Sequence, residues 1–423
     1  MTADHNRSTA LGVLRLPERI LFGDGSFSAV SVEASRLGNN VLLVCDPFLL
    51  NSPEFEAILK EFATLAVKIT VESGVVPELP LAHVETLIES HRHSVPDVVV
   101  AVGGGSAIEL GKLIALGLSH VGALDNWYGE NAIPTPVLPV IAVPTTAGTG
   151  SEVTGVAVLT DPGRDLKVGI SSPYLIPRVA IVDPLLSVGA PASVTAASGA
   201  DALVHAVEAH TAAVRPPDWS AQLPVFVGQN LLSSPLALEA IRLIVPNLPR
   251  AVRDGKDLDA RRAMARGSLL AGMAFGSAGT HLSHAIQYPV GALTHTPHGL
   301  GTGLLLPFVL DAVLPTCISQ LEDIAEVLGV REASAEASAH AAIDAIAHVF
   351  SEIGLPADLR SIGVDDKDVS RIVELSMTVK RLVSNSTHTP TSELIEGIVR
   401  AALDGDRVRP DSFETTDQKR IHA

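Results

Sequence analysis

In the first half of the chain, short apolar runs rich in β-branched residues alternate with longer helix-like segments. Val-Leu-Leu-Val-Cys at 41–45 stops at Asp46-Pro47. Residues 97–102 run directly into Gly103-Gly104-Gly105, 137–143 stop at Pro144, and 178–182 stop at Asp183-Pro184. Such runs separated by helical spacers predict a parallel α/β sheet, because each crossover between parallel strands needs a helix-length connection.

The pattern changes near residue 193. Ala-rich segments with helical periodicity occupy 193–213, 235–245, 260–274 and 333–353, and strand-like runs become scarce. The expected organisation is an α/β domain over 1–190 and an all-helical domain over 191–423, joined at Gly189-Ala190-Pro191. The Pro-containing stretch 215–224 predicts a loop insertion between two helices, and the charged tail after Asp404 is expected to fray.

Composition agrees with two domains. A chain of 423 residues is too long for one ordinary core, and 47% hydrophobic residues supply two. Only 4% are aromatic, so the interior is built from Ala, Val, Leu and Ile, which suits helices packed on a parallel sheet. A net charge of −17 argues against nucleic acid or an anionic membrane as the main partner. Two distant cysteines, Cys45 and Cys317, exclude a disulfide framework and any CxxC metal pair. The N-terminus lacks the apolar core of a signal peptide, and stretches such as 304–309 are too short to span a bilayer. A soluble cytoplasmic protein is expected.

Two loops carry candidate chemistry. Residues 98–106 form a strand running into three glycines and a helix, where backbone N–H groups and the helix N-terminus can receive a phosphate. The alternative is a plain strand-to-helix turn, and the GxGxxG fingerprint is absent. Pro144-Thr-Thr-Ala-Gly-Thr-Gly-Ser-Glu152 also follows a strand and offers hydroxyls and glycines to a pyrophosphate or nicotinamide. Two such loops at strand C-terminal ends point to a ligand crevice. Asp46 could accept hydrogen bonds from adenine-ribose hydroxyls and repel a 2′-phosphate. It could equally begin an ordinary Asp-Pro turn, which its local sequence favours.

Asp201 and His205 lie four apart in a strongly helical stretch and share a face, with Glu208 one turn further along the same stripe. A carboxylate and an imidazole pointing one way suit Zn²⁺ or Fe²⁺. The alternative is an exposed i,i+4 ion pair, but flanking Ala, Leu and Val argue for burial. His281, His284, His295 and His298 place four of fifteen histidines within eighteen residues. Spacing does not decide which member of each pair, His281 or His284, His295 or His298, is a ligand.

Together these motifs resemble the iron-containing, or group III, alcohol dehydrogenase family over about residues 14–403. Gly103-Gly-Gly-Ser106 with Lys112 is similar to its GGGSxxDxxK segment, 144–152 to its PTTxGTGSE loop, and Gly199-Ala-Asp201…His205 to its GxDAxxH helix. His284 through Pro297-His298-Gly299 resembles its HxxxHxxGxxxxxPHG region. The resemblance implies an N-terminal α/β nucleotide-binding domain and a C-terminal helical domain with a metal between them, held by Asp201, His205, His284 and His298. It implies cofactor contacts from Asp46, Gly103, Gly104, Gly105, Ser106, Thr145, Thr146, Thr149, Lys167 and Leu186.

Three positions depart from the pattern. Glu109 replaces the usual Asp, Glu78 stands where Asn is common, and Tyr288 replaces a second, non-ligand histidine that relays protons. Tyr288 and its surroundings resemble the hydroxyacid–oxoacid transhydrogenase branch. The implied chemistry is metal-assisted hydride transfer between an alcohol and its aldehyde or ketone, with NAD or NADP as carrier and Fe²⁺ or Zn²⁺ as the metal. His295, Thr149, Ser151 or water would then take the relay's place. The alternatives are a hydroxy acid–oxo acid transhydrogenase with bound NAD, a dehydroquinate-synthase-type lyase, and a non-enzymatic metal or nucleotide binder. A small-molecule partner and a homodimer or higher homo-oligomer are expected.

Overall fold

The computed structural model describes residues 12–164, 166–216 and 218–407. Among the described residues nine strands occur, β1 (Arg19–Phe22), β2 (Asn40–Cys45), β3 (Lys68–Glu72), β4 (Val98–Gly103), β5 (Gly129–Glu130), β6 (Val140–Pro144), β7 (Val156–Asp161), β8 (Leu166–Ser171) and β9 (Val179–Val182). Six form a wholly parallel sheet in the order β1-β9-β6-β4-β2-β3. The others form a small sheet, β5-β8-β7, in which β7 and β8 are antiparallel.

The four predicted runs are β2, β4, β6 and β9. β6 begins three residues later than expected because Pro139, lacking an N–H, cannot join the ladder as a donor. Alternate residues serve opposite faces, as strand geometry requires. Leu42, Val44, Val99 and Ala101 pack on one side, and Val41, Leu43, Cys45, Val98, Val100 and Val102 on the other. Both faces are covered, so the runs read as continuously apolar.

β2 is flanked by β3 on one side and β4 on the other, so the winding reverses between β2 and β4. The crevice outside the C-terminal ends of strands at such a reversal is where α/β sheets bind ligands. Here those ends carry Asp46 and the glycine turn.

From Ala192 onward every helix or strand among the described residues is helical. Ala192–His210, Ser234–Arg253, Leu258–Ala278, Leu282–Thr294, His298–Leu328 and Ala335–Glu352 contribute to one apolar core. The helix expected at 235–245 continues through Pro246 and Pro249 to Arg253. Ala240, Ile241, Ile244, Leu248 and Ala251 keep one buried face across those prolines, and that burial outweighs the lost backbone bonds. The 215–224 stretch lies in the connection between helices, as expected.

Residues 304–309, read above as a short apolar run, sit inside a 31-residue helix. By length and composition that helix could cross a membrane, but 67% of its most apolar window is buried. It is the central helix of the domain, broken at Cys317, where φ is −137°. The tail does not come loose at Asp404. Arg407 donates to Asp311 at 2.7 Å and to Asp344 at 2.8 Å. The remainder of the tail, 408–423, lies outside the described residues, as does most of the N-terminal segment.

Candidate metal and nucleotide site

The helix Ala192–His210 starts after Pro191 and buries Asp201, His205 and Glu208 on one stripe. His298 opens its own helix, directly after Pro297. Gly299 allows that helix end to approach Asp201. A Cβ there would lie 2.1 Å from the Ala197 carbonyl oxygen and 2.6 Å from Asp201 Cβ. Only a residue without a side chain fits so near an approaching backbone.

The result is a convergent donor set. The Nε2 atoms of His205, His284 and His298 lie 3.9, 3.9 and 3.8 Å from Asp201 carboxylate oxygens. These gaps are too long for hydrogen bonds. Donors each about 2.1 Å from one ion stand roughly that far apart. Ligand atoms of Asp201, His284 and His298 all lie within 4.8 Å of one another, with His298 the partly open member at 33% side-chain exposure. His205 stands outside that trio, its ring stacked between Phe275 at 4.1 Å and His284 at 4.9 Å.

Neighbouring groups fix the imidazole tautomers. His205 Nδ1 donates to the Gly148 carbonyl at 3.3 Å, and His284 Nδ1 donates to Glu208 Oε2 at 2.7 Å. Each Nε2 therefore carries a lone pair toward Asp201. His284 Nε2 is buried without a hydrogen-bond partner, a costly state for a polar atom unless a cation accepts it. Burial pushes His205 down to about 4 and His298 to about 3, so both imidazoles are neutral donors at ordinary pH. Burial opposes the charge on Asp201, but His205, His298, His284 and the Thr302 hydroxyl together hold it below the usual carboxylate range.

Glu208 is the anchor of this arrangement. Besides His284, it accepts from the backbone N–H of His281 at 2.8 Å and of Ser283 at 2.7 Å. Burial raises its pKa, yet His281, His284 and these donors outweigh it and hold the carboxyl well below its ordinary value. His281 turns away from the cluster, with Nε2 at 3.0 Å from Thr211 Oγ1. Glu208 drew notice above only for its place on the stripe. Its partners lie 73 to 76 residues away.

A cavity of about 650 Å³ opens from His298. Gly105, Ser106, Thr149 and Lys167, expected to contact a cofactor, and Ser151 and His295, candidates for a proton relay, line it together with Asp201 and its three histidines. His295 closes the Leu282–Thr294 helix with φ 55° and is exposed at the rim. Asp46, Gly103 and Gly104 lie at the sheet crevice instead. Asp46 Oδ2 accepts from Gly104 N at 2.8 Å, and a Cβ on Gly103 would strike that oxygen at 2.3 Å. Burial pushes the Asp46 carboxyl up, against the Gly104 bond. Thr145 N donates to the Gly103 carbonyl at 2.9 Å, and Leu186 packs on the sheet core. Thr145, Thr146 and Leu186 do not line the chamber.

The departures from the family pattern each have a structural partner. Glu78 pairs with Lys167 at 2.9 Å. Glu109 Oε2 accepts from Val158 N at 2.9 Å, tying β7 to the Gly105–Ser119 helix. Lys112, buried on that helix, donates to Ser151 Oγ, Thr154 O and Val156 O at 3.0, 2.7 and 2.9 Å, clamping the end of the 144–152 loop. Tyr288 is buried, with its ring 6.2 Å from that of His298.

Two family descriptions match nearly the whole chain, "Iron-containing alcohol dehydrogenase" over 17–184 and "Fe-containing alcohol dehydrogenase family, C-terminal" over 195–403. The chain belongs to the iron-containing alcohol dehydrogenase family. It is therefore an oxidoreductase acting on alcohols, and membership implies a nicotinamide cofactor and a divalent metal. It is 34% identical to long-chain-alcohol dehydrogenase 1 of Geobacillus thermodenitrificans, over 92% of this chain and 96% of that protein. It is 30% identical to the mitochondrial hydroxyacid-oxoacid transhydrogenase of Rattus norvegicus, over 91% of this chain and 88% of that protein. A crystal structure of 1,3-propanediol oxidoreductase superposes with a TM-score of 0.86 at 34% identity, covering 93% of this chain and all of that one. Within the iron-containing alcohol dehydrogenases the lyase and non-enzymatic readings fall away.

Proposed function

We propose that this enzyme oxidises alcohols, and reduces the matching carbonyl compounds, with NAD and one divalent metal held by Asp201, His205, His284 and His298. The observation that carries the metal site is the buried, unpartnered Nε2 of His284, aimed at Asp201 while Glu208 holds the opposite ring nitrogen. One oxygen and three nitrogens suit Fe²⁺ and Zn²⁺ alike; the family name favours Fe²⁺. When bound, the nicotinamide takes up the hydride and the metal polarises the alcohol oxygen.

The chain's own residues orient and enclose. Gly105, Ser106 and Thr149 form the wall along which the cofactor lies, and the glycine turn receives its pyrophosphate at a helix N-terminus. Asp46 stands at the crevice with its second oxygen free of protein partners among the described residues, placed for ribose hydroxyls and against a 2′-phosphate. Tyr288 is a poor proton relay, since burial pushes its hydroxyl pKa up despite Arg381 nearby. His295, at the rim, connects the chamber to solvent. We place the domain boundary at residue 190, and take the enzyme to be a cytoplasmic homo-oligomer.

Enzyme purified without oxygen and offered a panel of primary alcohols tests this reading. Turnover with NAD over NADP, abolished by chelation and restored by Fe²⁺, is expected; full turnover after chelation contradicts it. Tyr288 favours a second reading, a hydroxy acid–oxo acid transhydrogenase. Oxidation that needs an added oxo acid and shows no free NADH would select it.

A further inference from the structure

Two chambers meet at Tyr288. The inner one holds the metal cluster, and the outer one has a volume of about 710 Å³. Lys167, Phe226, Thr280, Tyr288 and Arg381 line both. The outer chamber carries Arg164, Lys167, Arg215, Lys380 and Arg381 against Glu130 alone, in a chain whose net charge is −17. A concave basic patch on an acidic protein attracts anions.

Several of these cations are already engaged. Lys167 faces Glu78, and Arg164 lies 3.6 Å from Asp161. Glu130 is shared among Arg381, Arg215 and Arg15. Arg381 has no carboxylate within 4.0 Å among the described residues. Its guanidinium carbon lies over the Phe226 ring, 4.5 Å from the centroid, and it lines both chambers together with Tyr288. Stacking holds the guanidinium by its face and leaves its in-plane donors for an acceptor. The planar fork of N–H donors matches the two oxygens of a carboxylate.

We propose that the substrate carries a carboxylate several carbons from its carbinol, and that Arg381 binds that carboxylate while the carbinol reaches the His298 side of the inner chamber. The proposal rests on the alcohol dehydrogenase reading and names its substrate class. Tyr288 sets the length. Its ring lies 6.2 Å from that of His298, and with Arg381 it lines the passage between the two chambers. A carboxylate adjacent to the carbinol stays beside the metal cluster and misses Arg381. A longer ω-hydroxy acid spans both.

The test compares 6-hydroxyhexanoate, 1-hexanol and lactate as substrates of the NAD- and metal-loaded enzyme, and measures hexanoate binding by calorimetry. The expected kcat/KM for 6-hydroxyhexanoate exceeds that for 1-hexanol and lactate by about tenfold or more, and the advantage shrinks with added salt. Arg381→Met reduces the 6-hydroxyhexanoate value at least about tenfold more than the 1-hexanol value and weakens hexanoate binding to the same degree. Arg381→Lys recovers part of both, because charge returns without the fork. Equal loss for both alcohols, or hexanoate binding unchanged in Arg381→Met, overturns the proposal. Arg381-dependent hexanoate binding without turnover of any alcohol would uphold the anion site and instead sink the dehydrogenase reading.

Discussion

Glu208 Oε2 accepts a 2.7 Å hydrogen bond from Nδ1 of His284, across 76 residues of sequence. The bond selects the tautomer in which His284 Nε2 keeps its lone pair, and turns that lone pair toward Asp201. Partners of this kind orient metal ligands and raise their basicity.

Glu208→Gln tests that role. An amide can hand its N–H₂ to Nδ1, which moves the proton to Nε2 and removes the ligand lone pair. Metal affinity is expected to fall about 10–100-fold, read by competition with a chromogenic chelator, with the helical circular dichroism retained. Wild-type affinity in this variant would contradict the assignment.

Gly299→Ala places a methyl group where the Ala197 carbonyl and Asp201 Cβ already stand. The His298 helix must retreat. We expect destabilisation of about 1–3 kcal/mol in urea unfolding, together with loss of bound metal. An unchanged metal content would mean that the close approach does not position His298.

Asp46→Ser removes the carboxylate at the crevice but keeps a hydrogen-bonding group. The expected result is a rise in KM for NAD of about tenfold and a fall in the preference over NADP. An unaltered NAD/NADP ratio would return Asp46 to a purely structural part, holding Gly104.

Lys112 gives a pH-dependent stability test. Burial pushes its ammonium from 10.5 down to about 7, against Glu109 and Glu152. Between those values the unfolded chain binds the extra proton, so this position makes stability rise with pH across that window. Lys112→Met is expected to flatten the slope. It also leaves the Thr154 and Val156 carbonyls without this donor, lowering stability by about 2–4 kcal/mol. An unchanged slope of stability against pH would show that Lys112 keeps an ordinary pKa.

The strands were legible because both faces of β2, β4, β6 and β9 are buried, leaving uninterrupted β-branched runs. β7 and β8 were not, since they form a half-exposed hairpin without such runs. Asp201 and His205 could be paired from helical spacing alone. His284 could not be separated from His281 that way. The choice depends on Glu208, which takes Nδ1 of one ring, and on Thr211, which takes Nε2 of the other, both far off in sequence. Arg381 escaped notice for a related reason. It lies in no motif, and only the packing of Phe226 and Tyr288 brings it to the chamber.

The metal site is the centre of the account, and metal stoichiometry tests it most directly. Protein purified without oxygen, wild type and His284→Ala, is analysed for bound iron and zinc and assayed for NAD-linked alcohol oxidation in the same preparation. The expected outcome is about one metal ion per chain in the wild type. In the variant, metal and activity are lost together while the fold persists. A metal-free His284→Ala protein with wild-type turnover would contradict it.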